Sequence, residues 1–571
     1  MDRLNDLFIF SVQLFVIVLV LYALYTLIYD RFLQHRNALL ENYPLLGRAR
    51  YFCEFLREPM RQYFGSEDGF GSRDKIDWVY KAAKDKKNYI SFALGTKEDK
   101  AKYIIKHANF ALNIDEVSDD VSVTIGEQHA HPFIARSMVV RSAMSDGALS
   151  PEATRAYARA AQIEQFPLNT GEGGMTSNLF ETHSIPDAHD YLSTRSGNSW
   201  QQYLYLVSKK LISPIFAIRL YRKLLLPKEE RYRYILDREK LMFFRPDWNA
   251  PLESFPKEVP FDMPDIILQI GSGLYGVRNS KGEFDEEHYK KTMRFCRMTE
   301  IKIAQGAKQT GGKLTGSKVT QDIAFYRGVN AGQDLFSPNR FPYASDMDTF
   351  MDFVGTLQKL SGKPVGIKIV ISDRDNVDEL ITTLQRRVSE GKPIIDFITV
   401  DSGEGGSATA PLAMMESVGL ALDSSICILD TLLKKHGLRE QIKIIASGKV
   451  LTPDDVIITL ALGADMVSIG RGFMLSAGCI RARVCSGAEG RACPVGLATQ
   501  DLNKRAAFHV KEKSEHIANY HKNLVSGVKE MLAILGKKEL NTLNIHDLTY
   551  INHDGEIFYD VGTYLHQKTH V

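Results

Sequence analysis

The fold is decided by VGIKIVIS (residues 365–372), IIDFITVD (394–401), IKIIASG (442–448) and MVSIG (466–470). Segments with helical periodicity separate these short β-branched runs. Strands that alternate with helices at this spacing form a parallel sheet, and the extent of the pattern favours an α/β fold of the (β/α)8 TIM-barrel type over a short open sheet. A doubly wound sheet is the alternative. Because the catalytic groups of such barrels lie where strands end, the residues after each run are the functional candidates.

The composition predicts a large globular body. The chain has 571 residues, 44% of them hydrophobic and 25% charged, which is enough material for a large core. Its formal charge of +2 and its lack of long basic runs argue against nucleic acid as a partner. Six cysteines do not form a disulfide framework in a chain of this size, and Cys479, Cys485 and Cys493 fall within one short segment. That cluster indicates a reducing compartment and a candidate metal site.

The amino terminus carries an uncharged apolar segment, FIFSVQLFVIVLVLYALYTLIY (8–29). About 20 such residues cross a hydrocarbon core of roughly 30 Å. A cleaved signal peptide is the rival, but the segment is longer than the usual apolar region and no small-x-small cleavage site follows it. We therefore predict a transmembrane anchor over residues 1–36. Basic residues gather after the segment, whereas Asp2 and Asp6 outnumber Arg3 before it, which predicts a single-pass membrane protein with its body in the cytoplasm.

Three further regions follow the anchor. Residues 37–125 form a predicted helical preface, with amphipathic patterns in RYFCEFLREPMRQYF (50–64) and KIDWVYKAAKDKK (75–87). The barrel is expected over 126–510. Residues 511–571 are predicted to form a helical tail and a hairpin that turns at Asp554 and Gly555.

A long segment with aromatic and basic character, about 175–264, is predicted to be an insertion after the first barrel strand. It contains YLYLVSKKLISPIFAIRLYRKLLL (203–226). Two interpretations remain open for this stretch: an amphipathic helix that lies on the membrane surface, or a helical hairpin that packs on the barrel.

Glycine-rich turns after the later strands indicate a phosphate-bearing cofactor. Gly448 and Gly470 follow the last two predicted strands, where exposed backbone N–H groups and Arg471 can hold a phosphate. Ordinary strand-to-helix turns are the alternative. The run DSGEGGSATAP (401–411) has so many small residues that a planar cofactor or its ribityl chain can approach the backbone, although a flexible loop has the same composition.

Five motifs in the same order resemble the FMN-binding synthase domain of glutamate synthases. They are SAMSDGALSPEA (142–153), NTGEGG (169–174), KIAQGAK (302–308), GGKLTGSKV (311–319) and CPVGLATQD (493–501). The resemblance covers roughly residues 125–510 apart from the insertion. With the anchor and the preface, the chain is similar to a membrane-linked branch of the FMN-binding glutamate synthase family.

The resemblance implies an FMN-dependent oxidoreductase that forms glutamate. In that reaction 2-oxoglutarate and ammonia give 2-iminoglutarate, which takes a hydride from reduced flavin. The implied catalytic residues are Glu172, Gln305 and Lys308, and the implied substrate-binding residues are Lys302, Lys313 and Arg327. The implied FMN-binding residues are Ser142, Met144, Lys368, Ser402, Gly405, Gly406, Ser447, Gly448, Gly470 and Arg471.

The residue types suit that chemistry, with one departure from the family pattern. Lys302 and Arg327 supply cations for a dicarboxylate, and Glu172 can move protons during imine formation. The family has a glutamine where this chain has Lys313, and its glycine loop is one residue longer. A different 2-oxo acid, or an amine other than ammonia, fits the same chemistry.

The cysteine cluster has the spacing Cys-x5-Cys-x7-Cys. In glutamate synthases the equivalent cysteines hold a [3Fe-4S] cluster that passes electrons to FMN, so the resemblance implies that Cys479, Cys485 and Cys493 are cluster ligands. The second gap is two residues longer here than the usual family spacing, with GAEGR in it. Reduced structural cysteines are the alternative.

The expected partners follow from what the motifs lack. Glutamate synthases release ammonia in an amidotransferase domain, and the motifs of this chain resemble only the synthase domain. We therefore expect free ammonia or a separate glutaminase subunit to supply the nitrogen. No G-x-G-x-x-G follows a predicted strand, so ferredoxin, a partner flavoprotein or a membrane donor is the expected electron source rather than NAD(P)H. Two other functions stay open: an N-methylglutamate synthase-like transferase, and a non-catalytic flavin and iron–sulfur redox protein of the membrane.

Overall fold

The computed structural model divides into two units, residues 1–67 and 68–571. Of residues 34–71 and 181–247 it describes only short stretches. Elsewhere it describes residues 2–33, 72–87, 102–180, 248–260, 263–306, 312–505, 507–552 and 554–562.

Eight parallel strands close into a barrel in the order in which they occur along the chain. The last strand pairs with the first, Val467 opposite Val139, so the sheet has no open edge. The predicted (β/α)8 barrel is therefore confirmed, and the doubly wound alternative is wrong. The strands are β1 (Val139–Arg141), β2 (Leu168–Asn169), β3 (Ile266–Ile270), β4 (Met298–Lys302), β5 (Val365–Ile369), β6 (Phe397–Asp401), β7 (Lys443–Ser447) and β8 (Met466–Ile469).

Helices between and after the strands cover the barrel, and local capping fixes where several of them begin. Ser150 accepts a hydrogen bond from the Ala153 N–H ahead of Pro151, and Asp346 and Asp373 cap two later helices in the same way. The helices are Pro151–Glu164, Glu286–Met293, Gln321–Arg327, Met347–Ser361, Arg374–Ser389, Leu412–Ser417, Leu422–Lys435, Pro453–Ala461, Arg471–Ser476 and Leu502–Arg505.

A short antiparallel hairpin, Val123–Ile125 with Phe133–Ala135, closes the amino-terminal end of the barrel. Ile125 and Phe133 are buried against the first inward-facing side chain of six barrel strands. We call this apolar layer the barrel base. Its strand residues are Val140, Ile267, Met298, Phe397, Ile445 and Met466.

The preface is not helical throughout, which corrects the prediction for 37–125. The helix Arg73–Ala83 forms as predicted, but Lys102–Ile105 and Val123–Ile125 are strands. Lys102–Ile105 pairs with Leu548–Ile551 near the other end of the chain, a contact that local periodicity cannot reveal. The helix predicted over 50–64 lies largely outside the described residues.

The carboxyl-terminal region wraps back onto the barrel. The helix Val510–Leu535 brings Tyr520 against Trp78, with ring centroids 6.2 Å apart in an edge-on arrangement. Beyond it, Leu548–Ile551 pairs with Ile557–Phe558, one strand on each side of the turn at Asp554 and Gly555.

The insertion follows the second barrel strand, not the first, which corrects our prediction. The reason is that β2 has only two residues, too few for a recognisable strand pattern. In its described parts the insertion contains the helix Ser199–Leu211 and an antiparallel sheet. The strands of that sheet are Leu192–Ser196, Ile235–Leu236 and Met242–Pro246.

The amino-terminal unit begins with the helix Asp2–Ile28, which continues as a π turn over Tyr29–Leu33. Within it, Ile9–Leu33 has a mean hydropathy of 2.3 and only 6% of it is buried. By length and composition this helix can cross a bilayer, and a signal sequence satisfies the same criteria.

Candidate active site at the barrel mouth

Glu172 and Lys302 form an ion pair at the carboxyl-terminal end of the barrel, which we call the barrel mouth. Lys302 is the last residue of β4, and Glu172 lies in the loop after β2. The Lys302 Nζ to Glu172 Oε2 distance is 2.7 Å, and both side chains are largely shielded from solvent. The strand end and the loop therefore bring together two of the residues that the sequence predicts.

Two glycines make room for the Glu172 carboxylate. A Cβ atom on Gly271 would overlap Glu172 Oε1, and one on Gly312 would lie 3.1 Å from Glu172 Oε2. Any larger residue at position 271 would displace the carboxylate from Lys302. The glycine after β3 and the glycine loop before Lys313 therefore shape the pocket around Glu172.

Arg327 is buried next to the same loop. Its Nη2 atom donates to Ser145 Oγ (3.3 Å) and to the Asp146 carbonyl (3.2 Å), and its guanidinium lies 5.3 Å from the Tyr275 ring centroid. Its Nε atom has no hydrogen-bond partner within the described part of the chain. Burial lowers the pKa of Arg327, while nearby Tyr275 and Glu172 oppose that shift. A buried guanidinium with an unused donor suits an anionic ligand.

The loop after β4 reaches across to β6 through Gln305 and Gly306. Gln305 Nε2 donates to the Gly406 carbonyl (3.0 Å), and the Gly306 N–H donates to Asp401 Oδ2 (2.9 Å). Gly306 must be glycine, because a Cβ atom there would overlap the Ser402 carbonyl oxygen. This contact joins the predicted substrate side of the mouth to the predicted cofactor side.

Of the other two predicted residues, only Lys313 can be located, and it does not join this group. Lys308 lies outside the described residues. Lys313 is half-exposed, pairs with Asp334 at 3.4 Å and lies over the Phe336 ring, 5.1 Å from its centroid. The side chain of Lys313 thus contacts its own loop instead of Glu172.

A buried polar layer that the sequence reading missed lies between the base and the mouth. Glu300 Oε1 accepts hydrogen bonds from Asn169 Nδ2 (2.8 Å) and Gln269 Nε2 (2.6 Å), and Thr399 donates to its other oxygen. Lys368 lies beside it. Strand alternation was the available signal, because Glu300 precedes Lys302 by two residues and must face the same way.

Lys368 forms a second buried ion pair in this interior. Its Nζ atom is 3.4 Å from Asp401 Oδ2, and both side chains are almost fully buried. Desolvation acts against the charged ammonium, but Asp401 and Glu300 outweigh it and raise the pKa of Lys368. Lys368 is therefore a fixed positive charge next to the DSGEGG turn.

The turns after β6, β7 and β8 form a shallow cradle of small residues. Ser402 Oγ is buried and has no hydrogen-bond partner among the residues that the structure describes. A side chain at Gly448, where φ is +158°, would overlap that oxygen. Gly470 lies against Ser142, and Arg471 Nη2 donates to the Glu404 carbonyl (3.0 Å).

The remaining predicted cofactor residues line the same cradle or its edges. The Ser142 N–H donates to the Ile469 carbonyl, and the Ser402 N–H donates to the Ser447 carbonyl, both at 2.9 Å. The Gly405 N–H donates to the Ser402 carbonyl at 2.8 Å. Met144 is half-buried in the loop after β1. An unpartnered hydroxyl, side-chain-free turns and an arginine after the last strand fit the donor requirements of FMN.

The three clustered cysteines lie near enough to influence one another electrostatically. Cys479 and Cys493 are buried and Cys485 is half-buried. Burial raises the pKa of the Cys479 thiol to about 12, and the neighbouring Cys485 and Cys493 reinforce the shift. Among the described residues, no three cysteine, histidine, aspartate or glutamate side chains converge on a single-ion site. Thiols are nevertheless the ligands that iron–sulfur clusters require.

Lys318 connects the cysteine segment to the mouth, and the sequence reading gave it no role. Its Nζ atom donates to the carbonyls of Ala148 (3.1 Å), Cys485 (2.6 Å) and Ala498 (3.0 Å). The side chain is buried, which lowers its pKa. One ammonium group thus ties together the loop after β1, the glycine loop and the cysteine segment.

Comparison with known proteins places this chain in a family. A family model described as a conserved region in glutamate synthase matches residues 73–538. The chain belongs to the glutamate synthase family. It is 31% identical to the glutamate synthase large subunit-like protein YerD of Bacillus subtilis (strain 168), over 94% of this chain and 93% of that relative.

Other glutamate synthases match a smaller part of the chain. The archaeal glutamate synthase [NADPH] of Methanocaldococcus jannaschii is 33% identical over 49% of this chain and 51% of its own length. The chain therefore spans about half the length of that relative. Among solved structures, a mutant flavocytochrome b2 with pyruvate bound superposes with a TM-score of 0.39 at 11% identity, covering 87% of this chain and 85% of that one.

Proposed function

We propose that this glutamate synthase family member is an FMN-dependent oxidoreductase that forms glutamate from 2-oxoglutarate and ammonia. The observation that carries the proposal is the Glu172–Lys302 ion pair with the buried Arg327 in the same mouth. A dicarboxylate needs two cationic contacts, and imine formation needs a group that exchanges protons. The mouth offers both.

Arg327 and Lys302 are the proposed carboxylate ligands. The planar guanidinium of Arg327 can bind one carboxylate through two N–H groups, and its buried Nε donor has no partner among the described residues. Lys302 supplies a compact second charge. Because both cations lie in a shielded pocket, their attraction for an anion is less screened than at an exposed surface.

Glu172 is the proposed proton-transfer group. Its Oε2 atom, held by Lys302, can accept a proton as ammonia adds to the keto carbon and can return one as water leaves. Gln305 and Lys308 are the proposed additional polar contacts to the keto acid. Lys313 remains a proposed substrate contact, although its side chain pairs with Asp334 in this structure.

FMN is the proposed resident cofactor, and it would supply the hydride that reduces the imine. Arg471, Gly448 and Gly470 would hold its phosphate, and Lys368 would place a positive charge near its ring. Ser142, Met144, Ser402, Gly405, Gly406 and Ser447 would complete the cradle.

Cys479, Cys485 and Cys493 are the proposed ligands of a [3Fe-4S] cluster that passes electrons to the flavin. Ferredoxin or a partner flavoprotein is the proposed electron donor. We further propose that residues 1–36 anchor the chain in a membrane with its catalytic body in the cytoplasm; the apolar helix Ile9–Leu33 supports this assignment.

The test uses the full chain, purified without oxygen and loaded with FMN. With a chemical reductant, 2-oxoglutarate and ¹⁵N-ammonium, the proposal predicts ¹⁵N-glutamate by mass spectrometry, and Glu172→Gln should abolish it. A chain that instead exchanges methylamine with glutamate, without any reductant, is a transferase of the N-methylglutamate type. A chain that holds FMN and makes neither product is a redox protein.

A further inference from the structure

The insertion helix Ser199–Leu211 presents an apolar row to the outside of the protein. Trp200, Leu204, Val207 and Leu211 recur at the i, i+4, i+7, i+11 spacing that places side chains on one helix face. Trp200 is 59% exposed and Leu211 is 76% exposed. Ile212 and Phe216, just past the helix, extend the exposed apolar surface. We call these six residues the apolar row.

One flank of the same helix, next to this row, is buried. Tyr205 and Ser208 are almost fully inaccessible to solvent, and Ser208 Oγ donates to the Leu204 carbonyl at 2.6 Å. The helix therefore packs on the protein along one flank, whereas Trp200, Leu211 and Ile212 of the apolar row are largely exposed. A contiguous exposed apolar surface of this kind marks an interaction site.

We propose that the apolar row lies on an anionic lipid bilayer. Charge favours lipid over a protein partner, because residues 199–227 include Lys209, Lys210, Arg219, Arg222 and Lys223 and no acidic residue. Basic residues beside an apolar helix face are the pattern of interfacial helices, and tryptophan and tyrosine prefer the headgroup region. Trp200 and the exposed Tyr203 fit that preference.

The chain's own apolar amino-terminal helix makes a bilayer an available surface. Ile9–Leu33 is long enough to span a membrane, so the protein would meet lipid at two separate places in its sequence. The contact at the apolar row would be interfacial, since a helix of this length is too short to cross. This proposal does not depend on the reaction at the barrel mouth.

The test exploits the fact that the chain has three tryptophans, Trp78, Trp200 and Trp248. The full-length variant Trp78→Phe/Trp248→Phe retains Trp200 alone. In nanodiscs of phosphatidylcholine and phosphatidylglycerol, lipids brominated near the headgroup should quench most of its emission. The matched control Trp200→Phe/Trp248→Phe retains Trp78, which packs on Tyr520, and should be unaffected.

A second variant keeps the test decisive if the tryptophan replacements disturb folding. Leu211→Glu in the otherwise native chain should reduce the quenching of total emission, whereas Leu412→Glu, an exposed leucine on the barrel, should not. Equal quenching of Trp200 and Trp78 would overturn the proposal. An unquenched Trp200 would also overturn it. If the chain then dimerises in detergent and Leu211→Glu makes it monomeric, a second copy of the chain covers the row.

Discussion

The same strands build the base and the mouth of the barrel, but the side chains that they point inward differ in polarity between the two ends. On six of the eight strands the inward-facing side chain in the base is apolar, whereas the side chain two residues nearer the mouth is polar and buried. The change occurs at Val140 to Ser142, Ile267 to Gln269, Met298 to Glu300, Phe397 to Thr399, Ile445 to Ser447 and Met466 to Ser468.

The comparison teaches that two residues of strand separate a layer that stabilises the fold from a layer that serves chemistry. Side chains of one strand that point inward recur every second residue, so the base and the polar layer stack directly on each other. Apolar packing needs no specific partners, but each polar group above it must be hydrogen-bonded. Glu300, with three donors, satisfies that requirement.

The largest expected effect is on chemistry at the mouth. Glu172→Gln removes the proton-transfer group and leaves the barrel base untouched, so turnover should fall by roughly 10²- to 10⁴-fold. Flavin content should remain that of the native chain, whereas the unfolding midpoint should fall because Lys302 loses its shielded partner. Glutamate formation and flavin absorbance, measured on the same preparation, check this. A variant that retains turnover would remove Glu172 from the mechanism.

The base should show the reverse behaviour. Phe397 is fully buried in the apolar layer, so Phe397→Ala should lower the free energy of unfolding by about 3–5 kcal/mol. Phe397→Leu, which keeps most of the volume, is the matched control and should cost less than about 1.5 kcal/mol. Urea unfolding of the full chain in detergent measures both. Loss of turnover without loss of stability would contradict the assignment of Phe397 to a structural layer.

The polar layer lies between these extremes. In Glu300→Gln the amide oxygen can still accept from Asn169 and Gln269, but the new N–H₂ would face the donating hydroxyl of Thr399, at a cost of about 1–3 kcal/mol in unfolding free energy. Because Glu300 is also a charge neighbour of Lys368, we expect a changed spectrum for the bound flavin, which Phe397→Ala should not produce. If Glu300→Gln leaves the flavin spectrum unchanged, Glu300 has a structural role only, like the residues of the barrel base.

The smallest effect concerns pH. The barrel base has no titratable group, but the half-buried His288 on the outer helix Glu286–Met293 has its pKa lowered to about 4 by burial. The unfolded chain takes up the proton first, near pH 6.5, so His288 makes stability fall as pH decreases from 6.5 towards 4. At pH 6 the loss is about 1 kcal/mol. His288→Gln should reduce the dependence of unfolding free energy on pH between pH 6.5 and 4. An unchanged dependence would show that His288 is not its cause.

The sequence predicts the barrel and part of the site for identifiable reasons. Strands β5 to β8 are continuous β-branched runs, so the fold could be inferred from them, whereas the two-residue β2 gave no pattern and the insertion was placed one strand too early. The basal hairpin was not predicted, because its side chains are recognisable only by their packing into the end of the barrel. That packing is a tertiary contact, which the local sequence does not show.

The site shows the same division between local and tertiary information. Glu172 and Lys302 belong to short motifs, and the structure places them with Arg327 at one mouth. Glu300 was missed because its role depends on which way β4 faces. Lys318 was missed because its partners come from segments far apart in sequence. The side chain of Lys313 pairs with Asp334, a contact that the spacing of residues within the motif cannot predict.

The most direct test of the central claim is the absorbance of the reduced, FMN-loaded full chain under anaerobic conditions as 2-oxoglutarate and ammonium are added. The account predicts that the oxidised flavin bands return only when both are present, with one glutamate formed per flavin reoxidised. Flavin that stays reduced with both substrates present would contradict the assignment of glutamate synthesis to this barrel mouth.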